Sequence, residues 1–526
     1  LVAAPPKAAR VIGSKKMKLF GGGKSDHPMA DVKEARKIVD AIPGSDPFKA
    51  LEDLNHWLES VRAWKGFTPD QRAQLVLMVD DAAQGHLRKL QRDYLSSPRL
   101  SKYQENRLWS AIRESCRQSA LAFAVCVDVF VTGQKGWEEL KPNMALLTVR
   151  AMRSAAAQMK WQYVRYGIQD NSLWGMIAKI YAFADHRRYA DSKVTAYAGI
   201  PEETSAEQEF LKAVMLAVSS PDSLLPVEIE LVERLIAHLV GSFRLTTKHQ
   251  PDAAYWIDLA LNQPPVRLTR SPDPVPTLRF FAAGSAVNQV RQLTQIVKQT
   301  NAMPSSINLG GNYEPRVILE VLDHLALYWS AQPPERKAPR HRVKSRVTIT
   351  YGFDGVLAAL DPGGEVLFDP EKIESWIVEN VSAGGFGALV PQLRGDWLKI
   401  GRLLGLQPEG GSNWIIGVVR RFQRDATQTG AVGIQTLARA AQPARVRMVS
   451  GQIGLSADTE TAILLGPVDS AAEAQLLLRS DVILPGQNLQ LEQDGKIYLL
   501  LPTGGMERGD DYDLLRCRAM RRDSGE

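Results

Sequence analysis

Between Glu335 and Arg346 the chain carries six cationic side chains: Arg336, Lys337, Arg340, Arg342, Lys344 and Arg346. A guanidinium fork binds a phosphate through two parallel hydrogen bonds. It reads the O6/N7 edge of guanine in the same way, and its flat face can stack on a base. Downstream lies Asn380-Val381-Ser382-Ala383-Gly384-Gly385. Asn380 and Ser382 are two apart, so a strand puts both on one face. Either can hydrogen-bond a base or a phosphate. Gly384, Gly385 and Gly387 remove side chains where a ligand or a turn needs room. The chemistry these residues suit is the capture of a guanine nucleotide with more than one phosphate.

The elements that must position them read as strands. Val343 to Tyr351 alternates, and Trp376-Ile377-Val378 leads into Asn380. Trp414 to Val419 ends in Arg420-Arg421, and Val432-Gly433-Ile434-Gln435 follows. R-x-x-x-R (Arg336 to Arg340), followed about one small barrel later by [D/N]-x-S-x-x-G (Asn380 to Gly385), resembles the PilZ domain. Val418-Val419-Arg420 and Gly433-Ile434-Gln435 fit two further strands of that family. The resemblance covers residues 332–442. It implies a six-stranded antiparallel β-barrel that binds cyclic di-GMP. Arg336 and Arg340 would grip phosphate and guanine, with Asn380, Ser382 and Gly385 on the other side of the ligand. Lys337, Arg342, Gly384 and Arg420 would be secondary contacts. Where many strong binders have a further Arg, this chain has Glu335, which leaves one ligand or a stacked pair open. No catalytic residue, metal or cofactor is implied.

Residues 31–331 read as an α-helical domain. Asp46 to Trp64 carries Leu51, Leu54, Leu58 and Val61 at helical spacing, and Thr68-Pro69-Asp70-Gln71 is a capping box. Thr204-Ser205-Ala206-Glu207 reads as another. Pro226 opens a helix striped by Leu231, Leu235 and Leu239, and Val317, Val321 and Leu325 form a last face. Eight of the eleven tryptophans lie here, as core residues between helices. No family resemblance is apparent for this part. It is expected to bind a protein partner. Gln332-Pro333-Pro334-Glu335 is a stiff linker to the barrel.

The fold class is thus multidomain α + β: a large all-α domain, a PilZ-like barrel, then more strands over residues 443–518. In that last part Leu489 to Gln493 alternates, Asp494-Gly495 turns, and Lys496 to Leu499 returns. The extra strands either extend the barrel or make a small β-domain, and residues 519–526 read as a tail. Residues 1–30 read as a disordered or extraneous start, with Met17-Lys18-Leu19-Phe20 resembling a natural one. Gly21-Gly22-Gly23-Lys24-Ser25 has Lys18 where a phosphate-binding loop needs glycine.

Composition narrows the function classes. Three cysteines without C-x-x-C fit a reducing cytoplasm, and the eight scattered histidines form no metal pair. With 64 basic against 58 acidic residues, the +6 charge does not point to nucleic acid. The apolar run around Ala120 to Val131 contains Asp128 and is too short to cross a membrane. No nucleophile elbow or acidic metal cluster stands out, and the GGDEF and EAL strings of cyclic di-GMP turnover are missing. The expectation is a non-enzymatic cytoplasmic receptor in bacterial signalling, such as biofilm formation or motility. The alternative is an interaction scaffold whose barrel no longer binds nucleotide.

Overall fold

The computed structural model describes residues 27–522 apart from stretches at 97–99, 168–169, 334–340, 364–368, 394–396, 425–428, 450–454, 469–472, 485, 494, 504–505 and 510. Helices come first: α1 (Val32–Asp40), α2 (Pro47–Ala63), α3 (Pro69–Ser96), α4 (Lys102–Val131), α5 (Met144–Tyr163), α6 (Asn171–His186), α7 (Ala206–Val218), α8 (Pro226–Leu239), α9 (Ala286–Thr300) and α10 (Pro315–Tyr328). Their starts follow local chemistry. Asp31, Asp46 and Ser101 side chains accept from the first-turn amides. Thr68 and Gln71 exchange hydrogen bonds of 3.2 and 3.3 Å, the capping box expected there. The second box is shifted by one residue. Ser205 caps Gln208, while Thr204 ends a strand and donates its hydroxyl to Glu209.

The helical part also holds short strands that a search for helical periodicity passes over. β1 (Val194–Tyr197) and β2 (Ile200–Thr204) form a hairpin; β3 (Arg244–Thr246), β4 (Tyr255–Asp258), β5 (Val266–Arg267) and β6 (Leu278–Ala282) form a four-stranded sheet. One apolar core runs from Met29 to Trp329. Met29 and His27 pack into it, so residues 27–30, expected with the free N-terminus, belong to the fold.

A closed six-stranded antiparallel barrel follows: β7 (His341–Tyr351), β8 (Glu374–Ser382), β9 (Gly385–Val390), β10 (Leu403–Pro408), β11 (Ile415–Arg424) and β12 (Gly430–Ala438). The ring runs β7-β8-β9-β12-β11-β10 and back to β7. Inward residues alternate along each strand, with Val347, Trp376, Val378, Val419, Phe422 and Ile434 among them. Tyr166, from the turn after α5, enters this same core against Phe422 and donates its hydroxyl to the Leu224 carbonyl. The Arg424 amide bonds the Tyr166 carbonyl at 2.7 Å. The helical part and the barrel are therefore pinned together by a buried side chain. A helix the sequence pattern did not reveal, α11 (Phe353–Leu360), closes one flank.

The last strands are β13 (Gln442–Val449), β14 (Leu455–Leu464), β15 (Glu473–Arg479), β16 (Leu489–Gln493), β17 (Lys496–Pro502), β18 (Glu507–Arg508) and β19 (Tyr512–Arg522). They make a sheet of their own rather than extending the barrel. β15 also pairs β19, so the ring runs β13-β14-β15-β19-β17-β16 and closes on β13, with β18 beside β19. This is a second barrel with the strand order of the first. β19 runs to Arg522, so residues 519–522, expected as tail, lie in a strand. Cys517 and Ala519 point into its core and hold it there.

Candidate functional site

The site begins with an irregularity. In a regular strand Trp376, Val378 and Asn380 would share a face, and Asn380 would point into the core. The β8–β9 register shifts between Val378 and Asn380, leaving Glu379 and Asn380 both outside. Ser382 follows on that outer face, opposite Gly385, and its hydroxyl donates to the Gly385 carbonyl at 3.3 Å. The β8–β9 turn is only Ala383-Gly384, whose Gly384 carbonyl accepts from Thr436. Gly385 has φ +154°, and a Cβ there would run into the Ile434 carbonyl of β12. Asn380, Ser382, Gly384 and Gly385 are thus brought together.

A cross-strand row extends from Asn380. It is paired with Gly387 in β9, Gly387 with Gly433 in β12, and Gly433 with Arg421 in β11. The two central glycines make room for the side chains at either end of the row. A Cβ on Gly387 would lie 2.5 Å from the Asn380 amide group, and one on Gly433 would lie 3.1 Å from the Arg421 Cβ. The Asn380 Oδ1 is buried and has no hydrogen-bond partner among the described residues. A buried carbonyl oxygen left unpaired costs about 1–3 kcal/mol. A ligand with an N–H donor would remove that penalty.

Arginines border the face. Arg342 is exposed on β7, directly opposite Asn380. A second register shift, between Val419 and Arg421, puts both Arg420 and Arg421 outside while Val419 and Phe422 stay in the core. Arg420, named from the sequence as a secondary contact, is bound at 2.7 Å to Gln435 and 2.6 Å to Glu507 of the second barrel. Arg421, which sequence reasoning passed over, reaches the helical part. It donates to the Ser220 hydroxyl at 3.0 Å and lies 3.5 Å from the Tyr328 hydroxyl and 3.7 Å from the Asp222 carboxylate. Tyr328 lies tilted against His324, whose pKa burial lowers, so that Arg421 is the cation of this contact. The signal for Arg421 was present in Gly387 and Gly433, since glycine inside a strand marks a close approach.

Arg336, Lys337 and Arg340 lie outside the described residues. Among the described residues no group of His, Cys, Asp or Glu could hold a metal ion, and no helix is long and apolar enough to cross a membrane.

Two comparisons with known families match the chain. Residues 33–252 match the family model described as cyclic-di-GMP receptor FimW, N-terminal domain. Residues 369–443 match the one described as cyclic-di-GMP receptor FimW, middle PilZ domain. Together they cover more than half of the chain. The second match contains Asn380, Ser382 and the glycine face and begins after Arg340. The first supplies a family for the helical part, where the sequence pattern suggested none. No curated protein matches the chain.

Proposed function

Because the chain belongs to the FimW family of cyclic-di-GMP receptors, we propose that it binds cyclic di-GMP on the outer face of β8, β9, β12 and β11. Arg336 and Arg340 grip phosphate and guanine; Asn380, Ser382 and Gly385 hold the opposite side. Lys337, Arg342 and Gly384 add secondary contacts, while Arg420 braces the face through Gln435 and Glu507. The protein acts by binding rather than by catalysis, in the cytoplasm. The helical domain, over residues 31–331, passes the signal to a protein partner, and residues 332–442 form the receptor barrel.

The observation that carries this reading is the buried Asn380 oxygen, without a partner among the described residues, beside a face cleared by glycine. A merely structural strand has no reason to leave a buried acceptor idle. The test is isothermal titration of cyclic di-GMP into the full chain, with Arg340→Ala and GTP as controls. Saturable binding that is selective over GTP and weakened roughly 100-fold in the variant is expected. Its stoichiometry decides between one ligand and a stacked pair. Absence of binding in a second direct assay would overturn the reading and leave an interaction scaffold.

A further inference from the structure

We infer that Arg421 is a further ligand contact, and that the ligand takes it in exchange with the helical domain. The inference rests on the reading above and concerns how the bound face is coupled to the rest of the chain. Arg421 closes the row that begins at Asn380, with Gly387 and Gly433 between them. Three strand spacings separate the ends of that row, roughly 14 Å along the sheet. The Asn380 amide lies over Gly387 and the Arg421 stem beside Gly433, with no side chain of β9 or β12 rising between them, so a ligand seated on Asn380 lies next to Arg421.

The two adjacent arginines of β11 differ in how firmly they are held. Arg420 makes bonds of 2.6 and 2.7 Å to Glu507 and Gln435. The Arg421 side chain is 50 % exposed and stands 3.7 Å from the Asp222 carboxylate. Asp222 already accepts the Ser220 hydroxyl at 2.7 Å. A long, half-exposed ion pair of this kind is weak. A phosphodiester offers the guanidinium two parallel charge-assisted bonds and outcompetes it.

The consequence is coupling. Ser220 and Asp222 belong to the turn Pro221–Ser223 and its leading residue, and Tyr328 ends α10, the last helix before the linker. Withdrawing Arg421 from these three groups loosens one edge of the interface. Tyr166 stays in the barrel core and serves as the pivot. By linkage, whatever strengthens the Arg421–Asp222 pair weakens ligand binding by the same factor.

The experiment is titration of cyclic di-GMP into the full chain and into Arg421→Ala and Asp222→Asn, each checked for its melting temperature. Arg421→Ala should weaken binding about ten-fold. Asp222→Asn removes the competitor and should tighten binding about two- to five-fold, an effect that structural damage would not produce. Unchanged affinity in either variant, with a wild type that binds, would overturn this inference and leave the proposed function standing. A wild type that does not bind would overturn both.

Discussion

The two barrels share one strand order and put it to opposite uses. In the first, the second, third and sixth strands present the row Asn380-Gly387-Gly433. In the second barrel, the strands at the same places in the ring present Ile463-Leu477-Leu514. That row is buried. It packs with Tyr512 against Phe353, Val356 and Leu357 of α11 and against Leu403, Ile416 and Val418 of the first barrel. Asp511 adds a polar clasp, accepting from the Phe353 amide at 2.8 Å. One face is cleared by glycine, where we propose the ligand sits, and the other is filled to hold a neighbour. Ring order alone therefore does not set what a barrel face contacts; the outward residues of three strands do.

Exchanging the characters of the two rows would test that contrast. The largest effect is expected for Leu477→Asp. Leu477 is fully buried between the barrels, and an unpaired carboxylate there should cost about 3–5 kcal/mol, seen as a large drop in melting temperature. A melting temperature like that of the wild type would show that the second row does not hold the barrels together. Next comes Arg340→Ala, expected to weaken cyclic di-GMP binding roughly 100-fold with stability unchanged, since a bidentate phosphate contact is worth about 3 kcal/mol. Gly387→Val fills the cleared row and displaces Asn380. Titration should show binding weakened by roughly ten-fold, while the fold loses no more than about 1 kcal/mol. Wild-type affinity in this variant would mean that the ligand does not cross the glycines.

Much of this contrast was legible in the residues, and the rest was not for identifiable reasons. Asn380 and Ser382 could be placed on one face because side chains alternate along a strand. That the face is the outer one depends on the register shift at Glu379, a property of how β8 pairs with β9 and not of either strand alone. The reach of Arg421 into the helical part was hidden for a similar reason: its partners Ser220 and Asp222 lie some two hundred positions earlier in the chain. The strands β13 to β19 could be read, but their closure depends on β15 pairing β19 across the whole segment. The buried pair of Arg150 and Asp80, fixed by Ser119 and Tyr197, is likewise a product of tertiary packing. Helices such as α8 were legible because Pro226 and the leucine stripe are local signals.

The smallest effect is expected on the flank where the first barrel meets the helical domain, and it sharpens the comparison by titrating one side of that contact. Glu228 lies in the first turn of α8 and accepts the Leu225 amide at 2.6 Å, next to the Leu224 carbonyl that receives Tyr166. Burial pushes its carboxyl from an ordinary 4.5 up to about 7; the Leu225 hydrogen bond opposes the shift and nearby Glu320 adds to it. A folded pKa above the unfolded one contributes stability that is complete below about pH 4.5 and is lost as pH rises through about 7. Glutamine keeps the acceptor for Leu225 without acquiring a charge. Glu228→Gln should therefore melt like the wild type at about pH 4.5 and be more stable by up to about 1 kcal/mol at pH 8. Identical pH profiles for the two proteins would show that this carboxyl does not titrate between those limits. The first turn of α8 would then be indifferent to pH, as the apolar row of the second barrel must be.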